Sequence, residues 1–467
     1  MESCDVIVAG AGPAGLAAAI GAAKRGRRVV LLEKAARPGV KILLSGGNRC
    51  NLTHDCDAAG IARAFGRAGA RFLGPALREL GPRELRAWIE SLGVPTKVEP
   101  GGKVFPVSDR AVDVRDALER EMGRAGVRFA GRSAVRAVER AVNGAGFVVA
   151  ADSGRFAAPR VVLALGGRSY PKVGTTGDGY AIARALGHSV TSTAPALVPL
   201  VVGTPWVRSL SGVTLEDVEI ALRLPAPAGA PSPAPRVVDR RRGALLFTHF
   251  GLSGPAPMNL GGAIATAETL ASANVGGAVA AAGILAPALR GGAAASDAPR
   301  DGRFLSIDFL PGRSRREFDA GLRDAAALHG RRTVRAVLAA LLPRRLAEAL
   351  LGVCGIAPDL PLTQLSKAQR AALLDALFAT RLPVEGTRGL DFAEVTRGGV
   401  PLDELDPRTL ESRRLPGLYL CGELLDLDGP IGGYNFTAAF ATGALAGRNA
   451  GARGDAPRSD GDAGATR

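Results

Sequence analysis

The sequence of 467 residues predicts an α/β fold that is assembled from both ends of the chain and interrupted by an insert. Three observations predict it. A buried strand, a helix and a second strand follow one another within about 30 residues at the N-terminus, which is one βαβ unit. Strand and helix patterns return near the C-terminus. Between these ends the chain changes to short β-like pieces and then, from residue 316, to a helical pattern.

The elements of the α/β region follow from local patterns. Continuous apolar runs indicate buried parallel strands, and apolar residues spaced three and four apart indicate helices. Glycine-rich turns separate the two types. In chain order they are strand 4–10, helix 14–26, strand 28–34, helices 79–93 and 112–126, strand 155–167, helix 177–188, strand 417–423 and helix 435–450.

Composition places the chain among globular proteins and leaves its partner open. Nearly half of the residues are hydrophobic (47%), which is enough for several cores. The net charge of +15 favours a polyanionic partner such as nucleic acid. The basic residues are mostly arginine and are spread along the chain, which a biased composition would also produce. On charge alone, both interpretations stay open.

The termini and the cysteines predict a reduced, cytoplasmic protein. The N-terminal residues show neither a charged region nor a cleavage site, so we expect no signal peptide. The longest weakly polar stretch, 276–295, carries Pro287 and Arg290 and is a poor membrane span. The five cysteines are scattered and lack the paired spacing of a zinc site, so we expect no bound metal. The oligomeric state stays open.

The loop after the first strand predicts a dinucleotide site. Residues 10–15 read GAGPAG between a strand and a helix. Gly10 permits the tight turn, Gly12 lets the backbone approach a pyrophosphate, and Gly15 lets the helix pack on the strand. Glu33 ends the second strand and is placed to accept hydrogen bonds from an adenosine ribose. An ordinary strand–helix turn is the weaker alternative.

Two further glycine-rich segments predict that the dinucleotide is FAD. The segment GVKILLSGGNRCN, 39–51, follows the ribose-binding acid and can run along a pyrophosphate towards an isoalloxazine. Near the C-terminus, Glu423 can accept from ribityl hydroxyls. The N–H groups near Gly432, Gly433 and Asn435 can face the N1–C2=O edge of a flavin. For this late segment alone, a βα turn without a ligand is the alternative.

The residues expected to contact FAD lie in these loops and in neighbouring turns. They are Gly10, Gly12, Ala14, Gly15, Glu33, Lys34, Lys41, Ser45, Gly46, Gly47, Arg49, Asn51, Val135, Gly166, Gly167, Glu423, Gly432, Gly433 and Asn435. We expect FAD to be non-covalent, because no attachment residue can be assigned. No second glycine-rich motif marks a nicotinamide domain, so NADH or NADPH would bind transiently at the flavin face.

These segments resemble the BaiN/RdsA family of NAD(P)/FAD-dependent oxidoreductases, which is related to the fumarate-reductase type of flavoprotein. The resemblance covers nearly the whole chain. Asn48 stands where family members often have Gly, and the tracts 225–235 and 276–296 look like additional loop. The segments that carry it are GVKILLSGGNRCNLTH (39–54), GGKVFPVSDRAVDVRDAL (101–118), LALGGRSYPKVGTTGDGYAIARALGH (163–188), GALLFTHFGLSGPA (243–256), IDFLPG (307–312), EVTRGGV (394–400) and ESRRLPGLYLCGELLDLDGPIGGYN (411–435).

The resemblance implies a Rossmann-like FAD-binding domain of the GR2 type. An insert with a β-pseudobarrel and a small helical bundle, of a kind seen in nucleic-acid-binding proteins, would interrupt it. The predicted boundaries place the first segment of the FAD-binding domain at residues 1–194, a β-rich insert on the substrate side at 195–315, a helical insert at 316–380, the return to the FAD-binding domain at 381–455 and a disordered tail at 456–467.

The resemblance also implies hydride exchange with an activated C=C bond, and three functions stay open. The first is dihydrouridine formation in large-subunit ribosomal RNA with NAD(P)H, which the basic charge and the helical segment favour. The second is reduction of a small bile-acid-like enone. The third is a flavin-bound RNA-binding protein without turnover.

Two side chains are candidates for catalysis. Cys50 would lie near the flavin, and a thiol with an ordinary pKa of about 8.5 could donate a proton at neutral pH. Its favoured alternative is a small buried residue behind the loop. His249 could contact the flavin or the substrate, and a structural role in a tight turn is favoured for it. The arginine clusters at 239–243 and 311–316 could bind phosphates, although solvated charge is the simpler interpretation.

Overall fold

The computed structural model describes residues 1–141, 146–225, 234–267, 302–329 and 331–452. The chain forms two compact units. The first unit combines Met1–Thr193 with the chain from Thr396 onward, and the second unit is Ala194–Val395. The predicted tail 456–467, the tract 276–296 and most of the tract 225–235 lie outside the described residues.

The described residues contain strands of two to thirteen residues. In chain order they are β1 (Glu2–Ser3), β2 (Val6–Ala9), β3 (Val29–Leu32), β4 (Thr53–His54), β5 (Thr96–Val98), β6 (Lys103–Pro106), β7 (Arg128–Ala130), β8 (Val135–Arg140), β9 (Phe147–Ala151), β10 (Gly154–Ala158), β11 (Arg160–Leu163), β12 (Ala194–Ala196), β13 (Leu200–Val201), β14 (Thr214–Leu224), β15 (Arg236–Thr248), β16 (Gly251–Ser253), β17 (Phe304–Asp308), β18 (Thr380–Pro383), β19 (Gly386–Thr387), β20 (Val395–Arg397) and β21 (Leu418–Leu420).

The helices are numbered in the same way. They are α1 (Pro13–Ala23), α2 (Ala58–Arg63), α3 (Gly66–Glu79), α4 (Pro82–Ser91), α5 (Ala111–Arg124), α6 (Asp178–Ala185), α7 (Pro205–Ser209), α8 (255–267, as far as the chain is described there), α9 (Arg315–Leu328), α10 (Val334–Leu338), α11 (Arg344–Val353), α12 (Lys367–Phe378) and α13 (Tyr434–Ala450).

A parallel sheet in the order β21-β11-β2-β3-β7 forms the core of the first unit. All four residues of β2 and of β3 are buried, as continuous Val, Ile and Leu runs predict for strands covered on both faces. Because β21 comes from the end of the chain, the two ends share one sheet. This sheet confirms the predicted Rossmann-like α/β fold.

The second unit is built on an antiparallel sheet in the order β18-β17-β14-β15-β16-β13-β19. Along β14 the side chains of Val218, Ile220 and Leu222 are fully buried, which is the period of two that one covered face of a strand produces. Helices α9 to α12 lie between β17 and β18 in the chain. Since β18 and β19 belong to this sheet, the structure returns to the first unit at Thr396, later than the predicted residue 381.

Prolines explain two further differences from the predicted elements. The helix expected at 79–93 is α4, which begins at Pro82 rather than at residue 79, because proline fits the first position of a helix, where its missing N–H costs nothing. The strand expected at 155–167 divides at Pro159 into β10 and β11, which join different sheets. Within the described portion of the chain, no helix has the length and apolar character needed to cross a membrane.

Candidate functional site

The first turn of α1 is open to a ligand. Gly10 has a φ of +96°, and a Cβ on it would lie 2.4 Å from the carbonyl oxygen of Ala164. A Cβ on Gly15 would lie 1.8 Å from the Gly10 oxygen, so helix and strand touch here. A Cβ on Gly12 would meet nothing within 4 Å. No side chain caps α1, and its first turn has no acidic residue, so its N–H groups can bind an anion such as a pyrophosphate.

Glu33 is fixed beside this turn by the backbone. Its carboxylate oxygens accept from the N–H groups of Ala11 (2.7 Å) and Ala35 (2.8 Å). The N–H of Ser133 donates to the Glu33 carbonyl (2.8 Å), and Val135 follows as a buried residue of β8. A carboxylate oxygen has more than one lone pair, so Glu33 can still accept from a ribose hydroxyl. That contact, and the contact predicted for Val135, stay predictions.

The turn after β11 carries the predicted glycines of the middle segment. Gly166 has a φ of +72°, and a Cβ on it would lie 2.9 Å from a methyl carbon of Thr175. A Cβ on Gly167 would lie 2.6 Å from a Glu423 carboxylate oxygen. Lys34 reaches the same region, where its ammonium group pairs with Asp178 at 2.6 Å. These positions therefore cluster, and their contacts with a cofactor stay predictions.

The loop 45–51 is wound by residues with positive φ. They include Gly46, Gly47, Asn48 and Cys50. The Cys50 N–H closes the loop on the carbonyl of Ser45 (3.0 Å). Asparagine tolerates this region better than most residues, which explains how it can replace glycine at position 48. A Cβ on Gly47 would meet nothing within 4 Å, so the backbone is open there.

Arg49 anchors this loop to a neighbouring hairpin. Its guanidinium donates two hydrogen bonds of 2.8 Å to Glu99 and one of 3.2 Å to Asp109. It also lies 3.9 Å from the centre of the Phe105 ring. The hydrogen bonds from Arg49 lower the pKa of Glu99. The sequence pattern predicts that Arg49 contacts the cofactor or substrate, whereas the structure gives the side chain these protein partners.

Cys50 is covered by protein atoms alone. Its exposed fraction is 0%, and burial raises the pKa of its thiol to about 12. No bound molecule could reach Sγ without displacing the surrounding side chains. A thiol that holds its proton so tightly is also a poor acid at neutral pH. The structure thus favours the packing role of Cys50 over the predicted acid role.

The segment 51–54 joins the start of α13. With its amide oriented to suit both neighbours, Asn51 donates to the Thr53 carbonyl (3.2 Å) and accepts from the Gly433 N–H (3.1 Å). The hydroxyls of Thr53 and Thr437 lie 2.7 Å apart. A Cβ on Gly433 would lie 2.5 Å from the Thr53 backbone. The Gly433 N–H, predicted to face the flavin, is therefore bonded within the protein.

Asn435 holds the turn that precedes α13. Its side-chain oxygen accepts from the Gly429 N–H (2.8 Å), and its amide nitrogen donates to the Gly429 carbonyl (2.9 Å). No side chain caps α13, and its first turn has no acidic residue. The positive end of this helix can therefore also face an electron-rich group.

Helices α1 and α13 run parallel with a fixed offset. A Cβ on Gly443 would lie 2.1 Å from the Ala14 carbonyl oxygen, and one on Gly447 would lie 2.2 Å from that of Ala18. The two contacts are four residues apart on both helices, so the helices keep one register along their length. Pro13, the first residue of α1, is therefore level with Thr442, and α13 begins eight residues earlier, at Tyr434. At 1.5 Å per residue, the two helix N-termini are about 12 Å apart along the axis. An extended dinucleotide whose central pyrophosphate lies at the N-terminus of α1 and whose ring system reaches the N-terminus of α13 fits this spacing.

Glu423 and Lys41 form an ion pair in the first unit. Glu423 also accepts from the Ser169 hydroxyl (2.9 Å) and the Thr396 N–H (2.9 Å). The exposed fractions of the two charged side chains are 17% for Glu423 and 19% for Lys41. Glu423 therefore has little hydrogen-bonding capacity left, and its predicted contact with ribityl hydroxyls stays a prediction.

Sequence reasoning did not select His54 and Tyr434. Their rings stack with centres 4.8 Å apart, and the Gly432 carbonyl oxygen accepts a hydrogen bond from the His54 Nδ1 at 3.2 Å. Burial raises the pKa of Tyr434. Both residues lie inside the motifs quoted above: Tyr434 stands between the predicted site residues Gly433 and Asn435, and His54 follows Asn51 by three positions. Their polar side chains stand at the open end of α13.

His249 lies in the second unit. It is exposed in the turn between β15 and β16, and its ring meets that of Phe250 edge-on at 5.0 Å. Its contact with a flavin or substrate stays a prediction. FAD, when bound, would supply hydride transfer, and the open N-termini of α1 and α13 would fit its pyrophosphate and its flavin ring.

The Rossmann-like sheet, the glycine turn after β2 and the two open helix ends define the class, a flavoprotein oxidoreductase. The chain belongs to the HI0933-like family, since the model of the HI0933-like Rossmann domain matches residues 4–449.

Three similar proteins cover nearly the whole chain. A 3-dehydro-bile acid delta(4,6)-reductase of Clostridium scindens is 34% identical over 454 residues, 96% of this chain and 98% of that protein. A ribosomal RNA dihydrouridine synthase of Escherichia coli is 32% identical over 442 residues, 95% and 96% of the two chains. One of Haemophilus influenzae with the same name is 28% identical over 440 residues, 93% and 96%. The predicted BaiN/RdsA relationship is confirmed.

Proposed function

We propose that this flavoprotein reduces the C5–C6 bond of uridine in large-subunit ribosomal RNA, with NADH or NADPH as the reductant and in the cytoplasm. The observation that carries the choice of RNA is the net charge of +15, which suits a polyanionic substrate. The names of the two similar ribosomal RNA dihydrouridine synthases support it.

The chemistry follows from the conjugation of the substrate. The C5=C6 bond of uracil is conjugated with the C4 carbonyl, so C6 accepts a hydride and C5 then accepts a proton. Each turnover consumes one NAD(P)H and one proton and releases NAD(P)⁺. The protein must bind the dinucleotide at α1, orient the flavin end at α13 and place a proton donor near the substrate. Tyr434 and His54 are the polar side chains at that end of α13.

Reduction of a small conjugated ketone is the second candidate. The similarity to the 3-dehydro-bile acid reductase, 34% identity over almost the full length of both proteins, favours it. A dienone ketone presents the same conjugated C=C acceptor as uracil, so the same hydride and proton deliveries would serve it. For this candidate the basic charge has no role in binding the substrate.

Mass spectrometry of ribosomal RNA from a strain without this protein tests the proposal. We expect one dihydrouridine of the large-subunit RNA to disappear and to return when the gene is restored. The purified protein with NADH and NADPH should then form dihydrouridine in unmodified large-subunit RNA. An unchanged RNA modification pattern, together with rapid reduction of a conjugated steroid dienone, would overturn the proposal in favour of the second candidate.

A further inference from the structure

Three side chains of the second unit form a stack, and a fourth meets one of its rings edge-on. The guanidinium carbon of Arg388 lies 3.8 Å from the centre of the Phe392 ring and 4.4 Å from that of Phe250. The ring of His249 meets Phe250 edge-on at 5.0 Å. Arg388 thus lies between two aromatic rings, and we call these four residues the Arg388 stack.

The backbone holds the Arg388 stack at three places. The Arg388 N–H donates to the Pro199 carbonyl (3.0 Å), directly after strand β19. The Phe250 carbonyl accepts from the Val202 N–H (3.1 Å). Phe392 ends a short 3-10 helix, Leu390–Phe392. Because these anchors belong to the sheet and its turns, the rings are positioned before any partner binds.

One end of the stack is open. Phe392 is 45% exposed, although Arg388 covers one of its faces. Since Arg388 occupies one face of the ring, a partner of this exposed residue would contact the other face or the edges. An aromatic ring that is exposed on one face offers a flat surface, and another planar group can stack on it.

The charge of Arg388 differs from that of the arginines on the sheet. Arg240 pairs with Glu219 at 3.1 Å, and Arg242 pairs with Asp217 at 2.7 Å. Among the described residues, no carboxylate lies within ion-pair distance of Arg388. Its positive charge is therefore not paired with any carboxylate of the described residues, which suits an anionic partner. The arginine cluster predicted at 239–243, in contrast, is largely paired within the protein.

We propose that the Arg388 stack is a binding site for single-stranded RNA, in which an unpaired base lies on the outer face of Phe392 and the adjacent phosphate lies near Arg388. Aromatic and guanidinium planes beside uncompensated positive charge are the features by which proteins hold unstacked bases. This inference rests on the proposed function, because it supplies the means of holding RNA in a single-stranded form. It adds a binding surface on the second unit.

Binding of a short fluorescein-labelled oligouridine to the FAD-loaded protein tests the site. Phe392→Leu keeps an apolar side chain and removes the aromatic face, so we expect affinity to fall about 5- to 100-fold. The matched control is Phe304→Leu in the same unit, where Arg381 lies 4.9 Å from the ring centre but no second ring completes a stack among the residues that the structure describes. The control should bind like the wild type. Thermal unfolding and FAD content should be the same for both variants.

A second variant tests the site by a new fluorescence signal, which a misfolded protein would not give. Phe392→Trp should bind oligouridine at least as tightly as the wild type, and its additional tryptophan fluorescence should be quenched by the stacked base. An oligouridine with 4-thiouridine should cross-link on irradiation to the peptide that contains residue 392.

The outcomes separate this inference from the proposed function. Equal oligouridine affinity in the wild type and Phe392→Leu, with no quenching in Phe392→Trp, would overturn the stack as an RNA site even if dihydrouridine is formed. A wild-type protein that binds no RNA and reduces the dienone would overturn both. Weaker RNA binding in Phe392→Leu without any dihydrouridine formation would support the stack and overturn the reaction.

Discussion

Gly443 lies so close to Ala14 that a Cβ on the glycine would be 2.1 Å from the alanine carbonyl oxygen. That oxygen belongs to the backbone of α1 and cannot turn aside as a flexible side chain would. This contact fixes how closely α1 and α13 approach and how far their N-termini are offset. The same contact therefore sets the spacing of the two helix ends that fit FAD.

Gly443→Ala should accordingly destabilise the protein and weaken FAD retention. Extra volume in a packed interface typically costs about 1–3 kcal/mol, and a loss of that size is expected in urea unfolding. The matched control is Gly123→Ala in α5, where a Cβ would meet nothing within 4 Å. Removing a helical glycine there should leave stability equal or raise it by up to about 1 kcal/mol. Equal stability of the two variants would contradict the packing argument.

The ion pair between Lys41 and Glu423 makes a second prediction. Lys41→Met leaves the mostly buried Glu423 carboxylate without its cation, so unfolding free energy should fall by about 2–3 kcal/mol. The loss is smaller than for a fully buried pair because both side chains keep some exposure. Lys97→Met is the control, since its pair with Asp109 is more exposed and should matter much less. Equal urea midpoints for the two variants would show that the ion pair between Lys41 and Glu423 does not stabilise the fold.

The sequence could predict those regions of the fold whose conformation depends on neighbouring residues in the chain. The runs of β2 and β3 and the turn at Gly10 follow from residue type and backbone freedom, and the structure has them close to the predicted positions. The position at which the insert ends is not determined by the residues around it. Strands β18 and β19 have four and two residues, and only their pairing with distant strands assigns them to the second unit.

The candidate site shows the same division. The open backbone at Gly12 follows from its motif, whereas the partners of side chains depend on remote residues. Glu99, which pairs with Arg49, lies on a hairpin fifty positions further along the chain. Tyr434, which stacks on His54, lies at the opposite end of the sequence. No local pattern indicates such contacts, so the sequence named His54 only as a member of a motif.

Glu404 makes a prediction about pH. Burial alone would raise the pKa of Glu404, but hydrogen bonds from Arg414, Ser189 and His188 outweigh it and lower the pKa to about 2. The folded protein therefore stabilises the ionised form of Glu404 relative to its protonated form. Its contribution is present above the ordinary pKa of 4.5 and is lost as pH falls towards 2. The shift corresponds to about 3 kcal/mol at neutral pH.

The measurement is the urea unfolding free energy between neutral pH and pH about 3 for the wild type and Glu404→Gln. The wild type should lose more stability across this range than the variant, because only the wild type takes up the proton at this position. Parallel curves for the two proteins would mean that Glu404 is not held as an ion in the folded state.

For Cys50 the structure leads to the opposite of the acid role that the sequence allowed. Since its thiol is fully buried, Cys50→Ala should leave flavin reduction by NAD(P)H and substrate reduction at wild-type rates. Some packing is lost, so stability should fall by about 1 kcal/mol. In the folded wild type, Cys50 should also resist a thiol reagent. A loss of about 10²-fold in substrate reduction alone would restore the acid role.

Tyr434 is the more accessible proton donor at the start of α13. Tyr434→Phe keeps the ring that stacks on His54 and removes only the hydroxyl. If that hydroxyl supplies the proton, substrate reduction should fall by about 10²-fold or more while flavin reduction by NAD(P)H stays unchanged. The two half-reactions, measured separately by stopped-flow absorbance of the flavin, distinguish these effects.

Tyr419→Phe is the matched control for the loss of a tyrosine hydroxyl. Tyr419 lies on β21, is 5% exposed, and burial raises the pKa of its hydroxyl to about 12. Its variant should keep both half-reactions, because a hydroxyl covered in the core of the sheet has no access to substrate. If Tyr434→Phe reduces substrate as fast as Tyr419→Phe, the proton comes from another group. His54→Gln would then be the next variant to measure, since the His54 ring is the polar neighbour of Tyr434.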